Sequence, residues 1–284
     1  MYAMAETNAG TIHHGRPPQS ELRGLVSRLW ASRPGEHGGQ PATAAELTLP
    51  AIEMHLVVRL DDNSVDICAP SGTSFSFRAG AVSGLRTAAY AKRAIPAATV
   101  GAMLRPGACA NLLGIPASEF AGRHVALADI WPSSRLDRLR DRLAGAIDVP
   151  AMAAIFEAEL LEGIAPQGRV DSPIQTSVAL LKQGARVGDV ANGSGLSHRH
   201  FIDQFREKVG ITPVKFRSVA RIGAVTHALA TSSASLAEIA LMVGFADQAH
   251  MAREFQRFTG LTITVYRARV GHHPRHVPAR PERG

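Results

Sequence analysis

The sequence predicts an α+β chain: a β-rich, barrel-like N-terminal domain with flanking helices, then an all-α domain of two short helical units joined by a long helix. Three observations predict it. One helical pattern occurs twice in the last third, about fifty residues apart. Short alternating apolar runs, separated by Gly, Pro, Asp and Asn, occupy the region before it, as in antiparallel sheets. Finally, residues 171–284 hold 15 Lys+Arg against 8 Asp+Glu, while the preceding 170 residues hold 16 of each, so the net charge of +7 lies wholly in the helical part.

Residues 1–19, rich in Gly, Pro, His and Thr, read as a disordered tail. Residues 20–32 read as a helix ending near Trp30, followed by a loop from Pro34 to Thr43. Strands are expected at 52–58, 65–67, 74–77, 82–90 and 98–104, and helices at 117–121, 134–144 and 151–161. Trp30 and Trp131 are expected in the core. A β-rich domain would then cover 20–162, with a linker over 163–172 where Gly, Pro and polar residues cluster. The helical domain covers 173–269, and the Pro-, His- and Arg-rich residues 270–284 read as a disordered basic tail.

The first copy of the repeat runs Val190-Ala191, Gly195-Leu196-Ser197, Phe201, Phe205, Gly210-Ile211-Thr212-Pro213, Phe216-Arg217. The second runs Ile239-Ala240, Gly244-Phe245, Met251, Phe255, Gly260-Leu261-Thr262, Tyr266-Arg267. The offset is 49 at Gly195/Gly244 and 50 at Gly210/Gly260, so one extra residue sits between Phe245 and Met251. Each copy reads as helix, tight turn, helix. Gly195 and Gly244 suit a turn at positive φ, and Ser197 and Asp247 can cap the second helices. Leu196, Phe201 and Phe205 are expected inward in the first unit, and Met251, Phe255 and Phe258 in the second. Pro213 to about Thr231 fits a linking helix with Phe216, Val219, Ile222, Val225 and Leu229 as its buried stripe. Thr262 can cap a last helix. This is the helix-turn-helix pattern, whose second helix enters the DNA major groove.

On these residues the stretch 171–269 resembles the DNA-binding domain of the AraC/XylS family of transcription regulators. One departure is Ile263, where the family often has proline. The N-terminal half is similar to a domain of unassigned function found before such domains. Its resembling stretches are Leu29-Trp30, Leu49-Pro50, 103–107, 112–114 and 127–131. The resemblance implies a β-rich sensor or dimerisation module. It also implies that Arg199, Ile202 and Asp203 face bases, with Gln248, Ala249, His250 and Arg253 as their counterparts. Arg199 is suited to a bidentate contact with guanine, Asp203 to cytosine or to positioning Arg199, and Gln248 to adenine. Ser197, Lys215, Arg217 and Arg257 are candidates for phosphate contacts, with a structural role equally open for Arg217 and Arg267.

The expected function is sequence-specific transcription regulation, with two recognition helices in successive major grooves of double-stranded DNA and an effector-sensing or dimerising N-terminal domain. RNA polymerase, a small-molecule effector and a second copy of the chain are further candidate partners. The alternative is an enzyme or metal/redox sensor with its site in the N-terminal domain, using for instance His55, Cys68 and Cys109. No Ser/His/Asp or paired-carboxylate pattern points to catalysis. His198 and His200 lie on an expected helix, where i and i+2 diverge by about 200°, so neither an enzyme, a metal nor a cofactor is expected. Two cysteines make no disulfide framework. No run of eighteen apolar residues and no basic-then-apolar leader occur, so a cytoplasmic protein with no membrane contact is expected.

Overall fold

The computed structural model describes residues 4–8, 11–34, 44–164, 172–271 and 273–278. Its strands are β1 (Met4–Asn8), β2 (Thr11–Arg16), β3 (Val26–Pro34), β4 (Ala44–Thr48), β5 (Met54–Arg59) and β6 (Val65–Cys68). Then come β7 (Ser74–Phe77), β8 (Gly80–Ser83), β9 (Tyr90–Ala94), β10 (Thr99–Leu104), β11 (His124–Ala126) and β12 (His276–Pro278). The helices are α1 (Cys109–Leu113), α2 (Ser133–Ala144), α3 (Val149–Glu162), α4 (Ser172–Lys182) and α5 (Val187–Gly193). They continue with α6 (His198–Val209), α7 (Pro213–Thr231), α8 (Leu236–Met242), α9 (Gln248–Thr259) and α10 (Ile263–Arg269).

The β-rich region is, as expected, antiparallel sheet; it forms two sheets rather than a closed barrel. One runs in the order β1-β2-β3-β10-β5-β8-β11 and the other β12-β4-β9-β6-β7. Each sheet ends in edge strands, so neither closes on itself. Alternation places the apolar faces inward: Met54, Leu56 and Val58 are buried on β5, Val65 and Ile67 on β6.

Three expectations fail here because contacts between segments, which the local pattern does not encode, decide the outcome. The helix expected over 20–32 is a single 3-10 turn at Ser20–Leu22, and Val26–Pro34 is a strand. The spacing of Leu22, Val26 and Leu29, four and then three, is helical, but β3 pairs with β2 on one side and β10 on the other, and those ladders decide. The tail expected over 1–19 carries β1 and β2. Their anchor is Glu157 on α3, fully buried, which accepts from Arg16 at 2.5 Å and from the Gln19 backbone at 2.6 Å. The tail expected after residue 270 carries β12, which pairs with β4. The loop expected up to Thr43 lies, beyond Pro34, outside the described residues, as does most of the expected linker. Trp131 is buried and Trp30 half-buried.

Among the described residues, several contacts join the helical region to the β-rich region. The 3-10 turn Ala117–Phe120 packs on α6. The Gln175 amide donates to the Pro106 carbonyl at 2.5 Å. The Ala89 N–H donates to the Phe258 carbonyl at 3.1 Å. The segment before β12 straps across: Leu49 N–H donates to Arg275, Arg275 pairs with Glu53 at 2.9 Å, and His276 meets Glu46 at 2.9 Å.

His124 begins β11 and is 8% exposed. Burial, then the charges of Arg86, His55 and Lys92, pushes its pKa down to about 3. Its unfolded value is near 6.5, so its contribution is complete above that pH and is lost as pH falls toward 3. Moving from pH 7 to pH 5 should cost about 2 kcal/mol through this group alone. Urea unfolding at both pH values should show that loss, and His124→Gln should flatten it; an unchanged slope in the variant would contradict the assignment.

Candidate DNA-binding surface

Each unit is built by the same local rules. In the first, Val190 and Ala191 are the buried residues of α5, and Gly195 turns the chain at φ 73°. Ser197 caps α6, accepting from the His200 N–H at 3.3 Å. In the second, Gly244 turns at φ 77° and Asp247 caps α9, accepting from the His250 N–H at 2.6 Å. Other residues reach this backbone region only at a steric cost. Both caps stand at an offset of 50 and both turn glycines at 49, so the extra residue is Ala246, inside the second turn. Ser235 and Glu238 close a capping box on α8, a Ser-x-x-Glu signature that the sequence reading passed over.

Both units rest on α7. Its Phe216, Val219, Ile222, Val225 and Leu229 are buried, as the stripe predicted. Phe205 meets Phe216 edge-on at 5.6 Å in the first unit. In the second, Phe255 packs on Tyr266 at 5.4 Å, and the Tyr266 hydroxyl donates to the Pro274 carbonyl at 2.9 Å. Thr262 caps α10 as expected. Leu196 departs from expectation: it lies in the turn, 38% exposed, rather than inward. Phe245, its counterpart, is buried.

The exposed faces of α6 and α9 carry the expected base-facing residues. Arg199 is 96% exposed, with its Nε 4.0 Å from Asp203, one turn on. Ile202 is half-buried. Gln248, Ala249 and Arg253 are exposed on α9. His250 is half-buried, its ring edge-on to Phe245 at 5.3 Å. Both His198 and His200 are exposed in the first turn of α6.

The expected phosphate residues divide. Ser197 and Lys215 are exposed beside the N-termini of α6 and α7. Arg217 is half-buried and donates to the Gly184 carbonyl at 3.1 Å, which braces α4 against α7. Arg257 grips Glu254 through two hydrogen bonds, 2.9 and 2.7 Å, so a phosphate must compete with that carboxylate. The Glu254 carboxyl lies below its usual range because Arg257 donates to it. Arg267 is exposed.

Arg221 was not singled out in the sequence. It lies one turn beyond Arg217, outside the apolar stripe, and that spacing was the only signal. Its guanidinium lies 3.7 Å over the Phe245 ring and donates to the Gly244 carbonyl at 2.8 Å. The linking helix thereby holds the turn of the second unit directly.

Among the described residues, no three His, Cys, Asp or Glu side chains gather as a metal site. Cys68 is exposed; Cys109 is buried, and burial pushes its thiol up to about 12. No described helix is long and apolar enough to cross a membrane.

Residues 190–269 match a family model described as a helix-turn-helix domain, and residues 14–126 match one described as a domain of unknown function, DUF6597. The helical region is an AraC-type helix-turn-helix domain. The chain is 28% identical over 96 residues to an uncharacterized HTH-type transcriptional regulator of Haemophilus influenzae, covering 33% of this chain and 32% of that one. It is 27% identical over 88 residues to the raffinose operon transcriptional regulatory protein RafR of Pediococcus pentosaceus, covering 31% and 32%. The chain thus spans about a third of the length of the curated relatives it matches. Among solved structures it is similar to the DNA-binding domain of AdpA in complex with a target DNA, at 27% identity, 34% and 92% coverage and a TM-score of 0.33.

Removing the Arg221 side chain deletes one hydrogen bond and one cation–π contact, together about 1–2 kcal/mol. Arg221→Ala should lower the urea midpoint accordingly, and Arg221→Lys, which lacks the planar fork, should recover only part. Full stability in the alanine variant would remove Arg221 from the frame.

Proposed function

We propose that the chain is a sequence-specific DNA-binding transcription regulator that sets α6 and α9 into successive major grooves on one face of a duplex. The observation that carries this reading is the pair of capped, outward-facing helices mounted on one continuous helix. A nineteen-residue α7 is about 28 Å long at 1.5 Å per residue. With the widths of the flanking helices, that matches one helical turn of DNA, about 34 Å.

Arg199 is the principal base-reading residue in this account. Its long fork is exposed, and Asp203 steadies it from one turn away. Ile202 adds apolar contact, and Gln248, Ala249, His250 and Arg253 read the second subsite. Ser197, Lys215 and Arg257 contact phosphates, Arg257 after exchanging Glu254 for the backbone. Arg217 acts from beneath as a brace. One monomer then covers two unlike subsites without a palindrome. The β-rich region regulates this binding, by sensing an effector or by dimerisation.

Arg199→Ala should weaken the specific site by about 1–3 kcal/mol and relax the preference at one base pair, read by competition binding on a mutated-site panel. Equal loss on every sequence would make Arg199 a phosphate contact instead. Inserting about five base pairs between the two subsites rotates one by half a turn and should abolish joint protection in a footprint. Undiminished protection of both would replace the rigid arrangement with a flexible or single-unit one.

A further inference from the structure

Arg86 lies in the loop between β8 and β9. Its Nη2 donates to the Nδ1 of His124 at 2.6 Å, and its guanidinium lies 4.8 Å from the centre of the Tyr90 ring. Its Nε is buried and has no acceptor. Among the described residues Arg86 makes no ion pair with an acid. An arginine only donates, so Nδ1 of His124 must be the acceptor and the ring proton sits on Nε2. The groups whose charges act on His124 are Arg86, His55 and Lys92, all basic or neutral. A buried Nε–H without an acceptor, on a half-buried guanidinium that no acid among the described residues pairs with, costs free energy until an anion arrives.

Around this cation lies an aromatic patch. Phe75 and Phe77, two apart on β7, share a face and are half-buried. Both stack on the His124 ring at 6.4 Å, and Tyr90 meets that ring edge-on at 4.8 Å. Apolar faces beside an unpaired guanidinium suit one ligand chemistry: a carboxylate on a flat or apolar body.

The position of this patch matters as much as its chemistry. The segments bearing Arg86 and His124 are stitched together by Gly84 N–H to Arg123 O and Gly122 N–H to Leu85 O, each 2.9 Å. They touch backbone to backbone: a Cβ on Gly84 would lie 1.7 Å from the Phe120 carbonyl oxygen. The same two segments hold both recognition helices. Ala117 abuts Gly210, the C-cap of α6, where an added Cβ would lie 2.9 Å from its carbonyl oxygen. Ala89 donates to Phe258 in the last turn of α9.

We propose that Arg86, His124, Tyr90, Phe75 and Phe77 form a binding site for a small apolar carboxylate, and that its occupancy changes the hold of the 84–90 and 117–124 segments on α6 and α9. The proposal rests on the reading of the β-rich region as the regulatory part of a DNA-binding protein. By linkage, whatever the carboxylate does to DNA affinity, DNA does equally to carboxylate affinity.

The test is calorimetric titration of the full chain with benzoate, its neutral isostere benzamide, acetate and inorganic phosphate. Benzoate should bind saturably, at least tenfold tighter than the other three, and Arg86→Gln should weaken it at least tenfold with its melting curve intact. The benzoate–benzamide comparison uses the unaltered protein, so it stands even if the variant misfolds. Absence of saturable benzoate binding, equal binding of benzamide, or indifference to Arg86→Gln in a folded variant overturns the site. Phosphate binding as tight as benzoate overturns its apolar half. In gel-shift titrations benzoate should move the affinity for duplex DNA severalfold in the unaltered protein and not in Arg86→Gln; no movement overturns the coupling alone. Failure to bind any duplex while benzoate still binds would instead sink the regulator reading.

Discussion

The arrangement depends on burial of one apolar stripe along α7. Phe216, Val219, Ile222, Val225 and Leu229 take their burial from elements of both units: α4 and α6 on one side, α8 and α9 on the other. Fully burying each such side chain is worth about 1.5–3 kcal/mol relative to exposure. Neither unit is large enough to bury its own apolar face. The stripe therefore does two things at once. It makes each short unit stable, and it fixes the direction in which each recognition helix points. Arg217 and Arg221, one turn apart on the same helix, add polar brackets to the Gly184 and Gly244 carbonyls.

A second constraint comes from the β-rich region. It touches α6 and α9 at their C-terminal ends and leaves their N-terminal turns exposed. That division is chemically sensible. Base contacts come from the first turns of a recognition helix, and backing contacts at the other end can reposition it without covering them. The strap at 273–278 reinforces this backing. Burial opposes ionisation of Glu46, but donation by His276 and the charge of Lys92 outweigh it and keep the carboxylate charged.

Legibility in the sequence follows the range of the interaction. The turn glycines Gly195 and Gly244, the caps Ser197, Asp247 and Thr262, and the stripe of α7 are local signals, and each stands where the repeat placed it. Features set by distant partners were not legible. Val26–Pro34 is a strand because β2 and β10 flank it. Strand β2 and the turn after it are anchored by Glu157, far along the chain, which accepts from Arg16 and Gln19. Two open sheets and one closed barrel have the same alternation, so only pairing separates them. In the candidate surface, exposure of Arg199, Asp203, Gln248 and Arg253 agrees with local periodicity. The bracing by Arg217 and Arg221 and the grip of Glu254 on Arg257 depend on side-chain geometry that spacing does not encode.

The central claim is that two recognition helices are held at one fixed separation before DNA arrives. Arg206 and Gln256 occupy equivalent exposed places on α6 and α9, so nitroxide labels there report that separation by pulsed electron paramagnetic resonance, with the exposed Cys68 replaced by serine. The account predicts one narrow distance distribution, unchanged in width when duplex is added. A broad or two-peaked distribution in the free protein that narrows only on DNA would contradict it.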